Sequence, residues 1–202
     1  MHAGLAYDPA RDLAVLVPAA KGLGKTSLSL LLASAGMQLA TDELTVLFSA
    51  SPPVVSGIPR RVGLSRETVE RFFPQYLTSL GPEFVSPLDG GVKHLVRCAP
   101  ESPPPKMALS VILVPGIHTG FEPEVKHLSP DDAAPVLYDA LLANRHDSST
   151  LYALAAHLAP NVPSFRILMG HSSAENARAL GRWLRRYEGA ADQEAPWEGV
   201  AP

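Results

Sequence analysis

The sequence is poor in cysteine, in long apolar runs and in excess charge of either sign, and each lack excludes something. Cys98 is the single cysteine among 202 residues, so neither an internal disulfide nor a cysteine-based zinc site can form. A reducing, cytoplasmic location is the simplest expectation. No apolar run approaches the roughly 20 residues needed to cross a bilayer, and no membrane partner is expected. The opening MHAGLAYDPARD lacks a basic start followed by a long apolar core, so it does not read as a signal peptide. A formal charge of -3 gives no basic bias, and nucleic acid is not an expected partner. No internal repeat is present.

What remains is the composition of an ordinary soluble protein, 46% hydrophobic and 18% charged, of a length that suits one domain. The expected division is a domain over 1–188 and a loose tail over 189–202. Twenty prolines are many for this length. They cluster in SPPVVSGIP, APESPPPK and the final EAPWEGVAP, which read as loops or tail. Between them strands and helices alternate. LAVLV, residues 13–17, is a short apolar strand stopped by Pro18. Residues 24–35 read as a helix with Gly36 as its C-cap. MQLAT, LTVLFS, LSVILV and FRILM read as further strands. Residues 66–73 and 150–159 read as helices. Ser129 starts another helix with Pro130 and two acids behind it, and a last one starts at the capping-box spacing Ser172 to Glu175. The class is α/β.

The chemistry concentrates in PAAKGLGKTSLSLLL, residues 18–32. A phosphate loop needs a strand, a flexible turn and a helix whose first amides face the anion. Val17, the segment Pro18 to Leu23, and Gly24-Lys25-Thr26 supply those parts in order. The backbone of Ala20, Lys21, Gly22, Leu23 and Gly24, with Lys25, Thr26 and Ser27, forms the candidate nucleotide site. Lysine offers a mobile cation for phosphates and Thr26 a hydroxyl for magnesium. A chance glycine-lysine pair before a helix is the plain alternative. Ala19 stands where such loops carry their first glycine, and alanine is tolerable there only if its φ stays negative.

Asp42-Glu43 follows the next strand. A strand-helix-strand unit of this length crosses over right-handedly to a parallel strand, so the two strand ends share one sheet edge and Asp42 comes beside the loop. A carboxylate there can hold magnesium or take a proton from an attacking hydroxyl. A solvated acidic pair is the plain alternative.

These residues resemble the catalytic domain of HPr kinase/phosphorylase and its shorter relatives. That family carries a His before a small apolar strand, a GxxGxGK[ST] loop, a helix, and an acidic pair closing the next strand. The present chain reads His2-Ala3-Gly4-Leu5, Ala19 to Thr26, then Leu39 to Glu43; beyond Val46 the likeness loosens to Gly57–Arg61 and the FRILMG strand. Glu43 replaces an Asp of the family, and its long acidic signature is not seen, so phosphorolysis is not implied. The resemblance implies a P-loop domain like those of HPr kinase and PEP carboxykinase, with a mixed sheet and flanking helices. It implies ATP and Mg2+ as cofactors and phosphorylation of a serine of a peptide or protein, as in relatives linked to lasso and other modified peptides. Lys25 would hold phosphates, Thr26 and Asp42 the metal, Asp42 would act as base with Glu43 supporting it, and His2 would lie near the transferred phosphate. The full-length family also makes a homo-oligomer an open expectation.

Other residues carry weaker signals. Arg60 and Arg61 could meet phosphate or substrate, or be a solvated pair. His94, Arg97 and Lys106 flank a Pro-rich loop that reads as a lid or as plain surface. Gly170-His171-Ser172-Ser173-Ala174 lacks the last glycine and a following histidine, so a hydrolase elbow is rejected. His118, His127, His146 and His157 have no ligand spacing. Two alternatives accompany the kinase reading: a nucleotide-binding, peptide-recognising module without catalysis, supported by Ala19, and a kinase of a small hydroxylated metabolite.

Overall fold

The computed structural model describes residues 1–20, 22–59, 61–87, 90–96, 104–117, 123–142 and 148–190. Its centre is a six-stranded mixed sheet built from β1 (Ala3–Asp8), β2 (Leu13–Pro18), β3 (Gln38–Thr41), β10 (Val111–Ile117), β11 (Glu124–Leu128) and β12 (Ser164–Met169), in the order β11-β12-β10-β2-β1-β3. β2 runs parallel to β10, and β10 to β12, whereas β1 is antiparallel to both β2 and β3. The expected mixed α/β class is therefore observed.

The sheet is covered on both faces, and the strand sequences say why. Leu13, Val15 and Val17 enter one hydrophobic core while Ala14 and Leu16 enter the other; Val111 and Leu113 alternate with Ile112 and Val114 in the same way. A strand apolar at every position can only sit between two layers. The first face is covered by α1 (Lys25–Ser34), α2 (Arg66–Phe72) and α5 (Ser173–Ala190), through Leu28, Leu31, Val69, Leu180 and Trp183. α3 (Pro130–Leu142) and α4 (Ser148–Asn161) cover the second, through Leu137, Leu141, Leu151 and Leu158. Each such leucine contributes about 1.5–3 kcal/mol on burial.

Two small antiparallel sheets fill the middle of the chain. One joins β4 (Thr45–Ala50), β5 (Pro53–Gly57) and β9 (Met107–Ala108). The other joins β6 (Val62–Leu64), β7 (Leu80–Val85) and β8 (Val92–Val96). SPPVVSGIP, expected as a loop, thus holds a strand. Pro53 takes its first position, where the missing N–H does little harm, and Val55 is fully buried. Of APESPPPK, residues 104–106 are irregular and the rest lies outside the described residues. At the far end of β5, a Cβ on Gly57 would stand 2.8 Å from Ala40 Cβ and 2.9 Å from its carbonyl carbon. Glycine there lets β5 lie directly on the end of β3.

The helix ends follow their capping residues. Ser129 Oγ accepts from Asp132 N at 3.2 Å, and Ser172 Oγ from Glu175 N at 3.3 Å, which accounts for the serines that briefly suggested an elbow. Gly36 closes α1 with φ 102°, a left-handed value that suits glycine. α5 continues to Ala190, past the expected boundary at 188; the remaining tail residues lie outside the described set.

Candidate active site

β2 and β3 end on the same sheet edge, as the crossover argument requires, but they are not neighbours. β1 lies between them, with Ala3 opposite Pro18 and Leu5 opposite Thr41. The start of β1 therefore delivers His2 between the two strand ends, and the loop after β2 and the acidic pair after β3 flank it. His2 is held there by an isolated bridge to Leu44 and by donating its backbone N–H to Ala140 O at 2.7 Å.

The loop leaves β2 through Pro18 and Ala19. Ala19 is buried, and among the described residues Asp12 is the sole non-glycine with positive φ. Ala19 thus meets the one condition under which it can replace glycine. The tight turns fall instead on Gly22 (φ 84°) and Gly24 (φ 89°). Gly24 is the N-cap of α1 and presents its backbone without a side-chain cap, so the first-turn amides stay open to an anion. A Cβ there would also meet Met169 Cε at 2.7 Å. Ala20, Gly22 and Leu23 are exposed, while Lys21 lies outside the described residues.

Lys25, Thr26 and Asp42 come together. Lys25 Nζ donates to Asp42 O at 3.0 Å, and Thr26 Oγ1 donates to Asp42 Oδ2 at 3.3 Å. Thr41, not anticipated as a functional residue, sets this corner. Its fully buried hydroxyl accepts from Glu43 N at 3.3 Å and Leu44 N at 3.1 Å, fixing the bend that aims Asp42 at α1. A threonine just before a polar turn was the available signal.

Burial governs the charges. It holds the Lys25 ammonium below the usual lysine range, against the pull of Asp42 and Glu43. It also pushes the Asp42 carboxyl above the usual aspartate range, against the pull of Lys25 and the Thr26 hydrogen bond, with Glu43 adding to the rise. His2 is lowered first by burial, then by the Lys25 cation, with Glu43 opposing. Glu43 thus acts on Lys25, Asp42 and His2 alike, and Lys25 on both Asp42 and His2. For Lys25 and Asp42 alike, burial outweighs the opposite charge beside the group.

The donor set fits a magnesium-bound nucleotide. Magnesium keeps waters and takes one or two carboxylates plus phosphate oxygens, not a full protein cage, and Thr26 with Asp42 offers one hydroxyl and one carboxylate. Among the described residues no group of three or more His, Cys, Asp or Glu is placed to hold a metal.

Other expected residues stand apart. Arg61 is exposed just before β6, and Arg60 lies outside the described residues, as do Arg97, His118 and His146. Lys106 packs its ammonium 4.2 Å from the Phe48 ring centre, and His94 is buried on β8 against Gly81 O and Glu83. His127 makes an edge contact with Phe165. Sequence reading missed a cavity of about 260 Å³ on the other flank of the loop, between Ser27 and Leu31 of α1, Phe72 at the end of α2, and Met169, Gly170 and Asn176 around the β12–α5 turn. Among the described residues no helix is long and apolar enough to cross a membrane.

No protein-family model matches the chain, and no curated protein matches it in sequence. Among solved structures it is similar to the Hpr(Ser) kinase/phosphatase from Coxiella burnetii, with a TM-score of 0.41 and 10% identity over 95% of this chain and 97% of that chain. The likeness is remote, and the functional reading rests on the site itself.

Proposed function

We propose that the protein is an ATP-dependent kinase that transfers a phosphoryl group to a hydroxyl, with a serine of a peptide or protein as acceptor. One observation carries this reading: the loop cation and the loop hydroxyl converge on Asp42, Lys25 at its main-chain carbonyl at 3.0 Å and Thr26 at its carboxylate at 3.3 Å. Phosphoryl transfer demands mostly positioning and charge stabilisation, so a small set of groups suffices.

Glycine turns at 22 and 24 and the open amides of α1 receive the phosphates. Lys25 donates one of its three N–H bonds to Asp42 O, leaving two for phosphate oxygens. Thr26 and Asp42 are the residues that would hold magnesium, which when bound neutralises charge on the phosphates. Asp42 accepts the acceptor hydroxyl's proton as that oxygen bonds to the γ-phosphorus and the bond to the β-bridging oxygen breaks, releasing ADP. Glu43 and His2 shape the field around Asp42. The peptide acceptor comes from the family resemblance. The competing non-catalytic module drew its support from Ala19, and the ordinary backbone of Ala19 removes that support.

The test is transfer from ATP-magnesium to serine-bearing candidate peptides, read as one added phosphate by mass. Lys25→Ala should abolish transfer, and transfer left intact in that variant would sink the assignment. Asp42→Asn should stop transfer while sparing nucleotide binding. Tight ATP binding without transfer to any acceptor, and without ATP turnover, would favour the module.

A further inference from the structure

We infer that the cavity between α1, the end of α2 and the β12–α5 turn receives the nucleoside end of the nucleotide, with the base stacked on Phe72; this rests on the phosphate-loop reading above. The first reason is direction. Lys25 and Thr26 turn toward Asp42, beyond the end of β3, whereas Gly24 turns toward the ends of β10 and β12, 2.7 Å from Met169 Cε and 3.8 Å from Pro115 Cβ measured from a Cβ placed on it. Ser27 follows on that second flank and forms part of the cavity wall. A nucleotide whose reacting phosphate lies at Asp42 leaves the loop on the Gly24–Ser27 side, and there the cavity opens.

The second reason is the span. In the order β12-β10-β2-β1-β3, four interstrand spacings separate the Met169 end from the Asp42 end, on the order of 19 Å. Only the Met169 wall is that far, while the Gly24–Ser27 wall adjoins the residues that touch Asp42, so a ligand running from Asp42 to the far wall is an elongated one, as a nucleotide is.

The third reason is the chemistry of the wall. Leu31, Phe72 and Met169 are apolar and Ser27 is polar, the usual mixture in a small-ligand site. Arg71 Cζ lies 5.0 Å over the Phe72 ring centre, within cation–π reach, and an aromatic ring beside a guanidinium is the type of surface on which bases pack. The wall is preformed. Asn176 Oδ1 accepts from Gly170 N at 2.9 Å and its Nδ2 donates to Gly170 O at 3.0 Å, so its amide is committed to bracing the turn.

Titration calorimetry with ATP and with inorganic tripolyphosphate, each with magnesium, tests this on the full chain. Phe72→Ala should weaken ATP between about fivefold and a hundredfold and leave tripolyphosphate within twofold, while Phe72→Trp should retain ATP binding. Retained tripolyphosphate binding shows that the loop is still folded. Arg71→Ala alters an exposed side chain and should show the same selective loss with no risk to the fold. Unchanged ATP affinity in both alanine variants, or equal weakening of both ligands in Arg71→Ala, overturns the cavity assignment, as does a loss confined to the acceptor's KM. Lys25→Ala should lose both ligands. If it keeps tripolyphosphate, the loop reading itself has failed, and the two failures are thereby distinguished.

Discussion

Ala19→Gly restores the residue that phosphate loops of this spacing carry, and the structure expects it to weaken the protein without improving the site. Ala19 is 3% exposed and keeps a φ open to any residue. Glycine at a position that alanine already fits adds unfolded-state entropy worth about 0.4–1 kcal/mol. Removing the buried methyl forfeits about 0.8 kcal/mol more. The sum is roughly 1–2 kcal/mol, which for a chain of this size lowers Tm by about 2–8 °C. Thermal melts followed by circular dichroism read the stability, and calorimetry with ATP-magnesium reads affinity, expected within twofold of wild type. An unchanged or higher Tm together with tenfold tighter ATP binding would show that alanine strains the turn, and the account of the loop given above would be wrong.

Three further outcomes follow from the same geometry. The double variant Lys25→Met/Asp42→Asn removes two charges that burial disfavours, so it should be more stable than wild type by about 1 kcal/mol, discounted for the half-buried carboxylate, and bind no ATP; a lower Tm speaks against the charge argument. Because Asp42 holds its proton more tightly in the fold, its contribution to stability is full below the ordinary aspartate value and is lost as pH rises through the folded pKa. Urea midpoints should fall with pH over that window in wild type and fall less in Asp42→Asn, and identical slopes would refute the shift. Gly57→Ala pushes a methyl into the Ala40 backbone and should cost about 1–3 kcal/mol, loosening the Asp42 corner; a neutral effect on Tm would mean that β5 is not seated as described.

The loop half of the candidate site was legible because its parts lie close together in sequence. A stopped apolar strand, two glycines, a lysine and a hydroxyl imply their own geometry, and the crossover rule carried Asp42 to the right edge without any knowledge of contacts. The insertion of β1 was less legible from pattern alone. AGLAYD is small and buried on both faces, so it shows no alternation, and only the family resemblance hinted at a strand after His2. Of the small sheets, LTVLFS was legible as the strand that becomes β4, whereas the other strands are short and pair across distance, Val55 with Met107 and Val62 with Val96, and β5 lies inside a segment whose prolines read as loop. The cavity was illegible for a different reason. Its walls come from three separated stretches around 27–31, 72 and 169–176, and nothing in the sequence ties Ser27 of the loop to the other two until the fold brings them together.

The central position of β2 has a consequence for how the chain comes into being. On one side β2 closes at once, as a hairpin with the strand made just before it. Its other edge waits for Val111–Ile117, which at ordinary synthesis rates arrive roughly 5–20 s later. During that interval the nascent chain carries an open, wholly apolar strand edge, a template for pairing with other chains. Production of this protein should therefore be limited less by the stability of the finished molecule than by what shields Leu13–Pro18 on the ribosome. Slower synthesis in its first half would lower the yield of soluble protein.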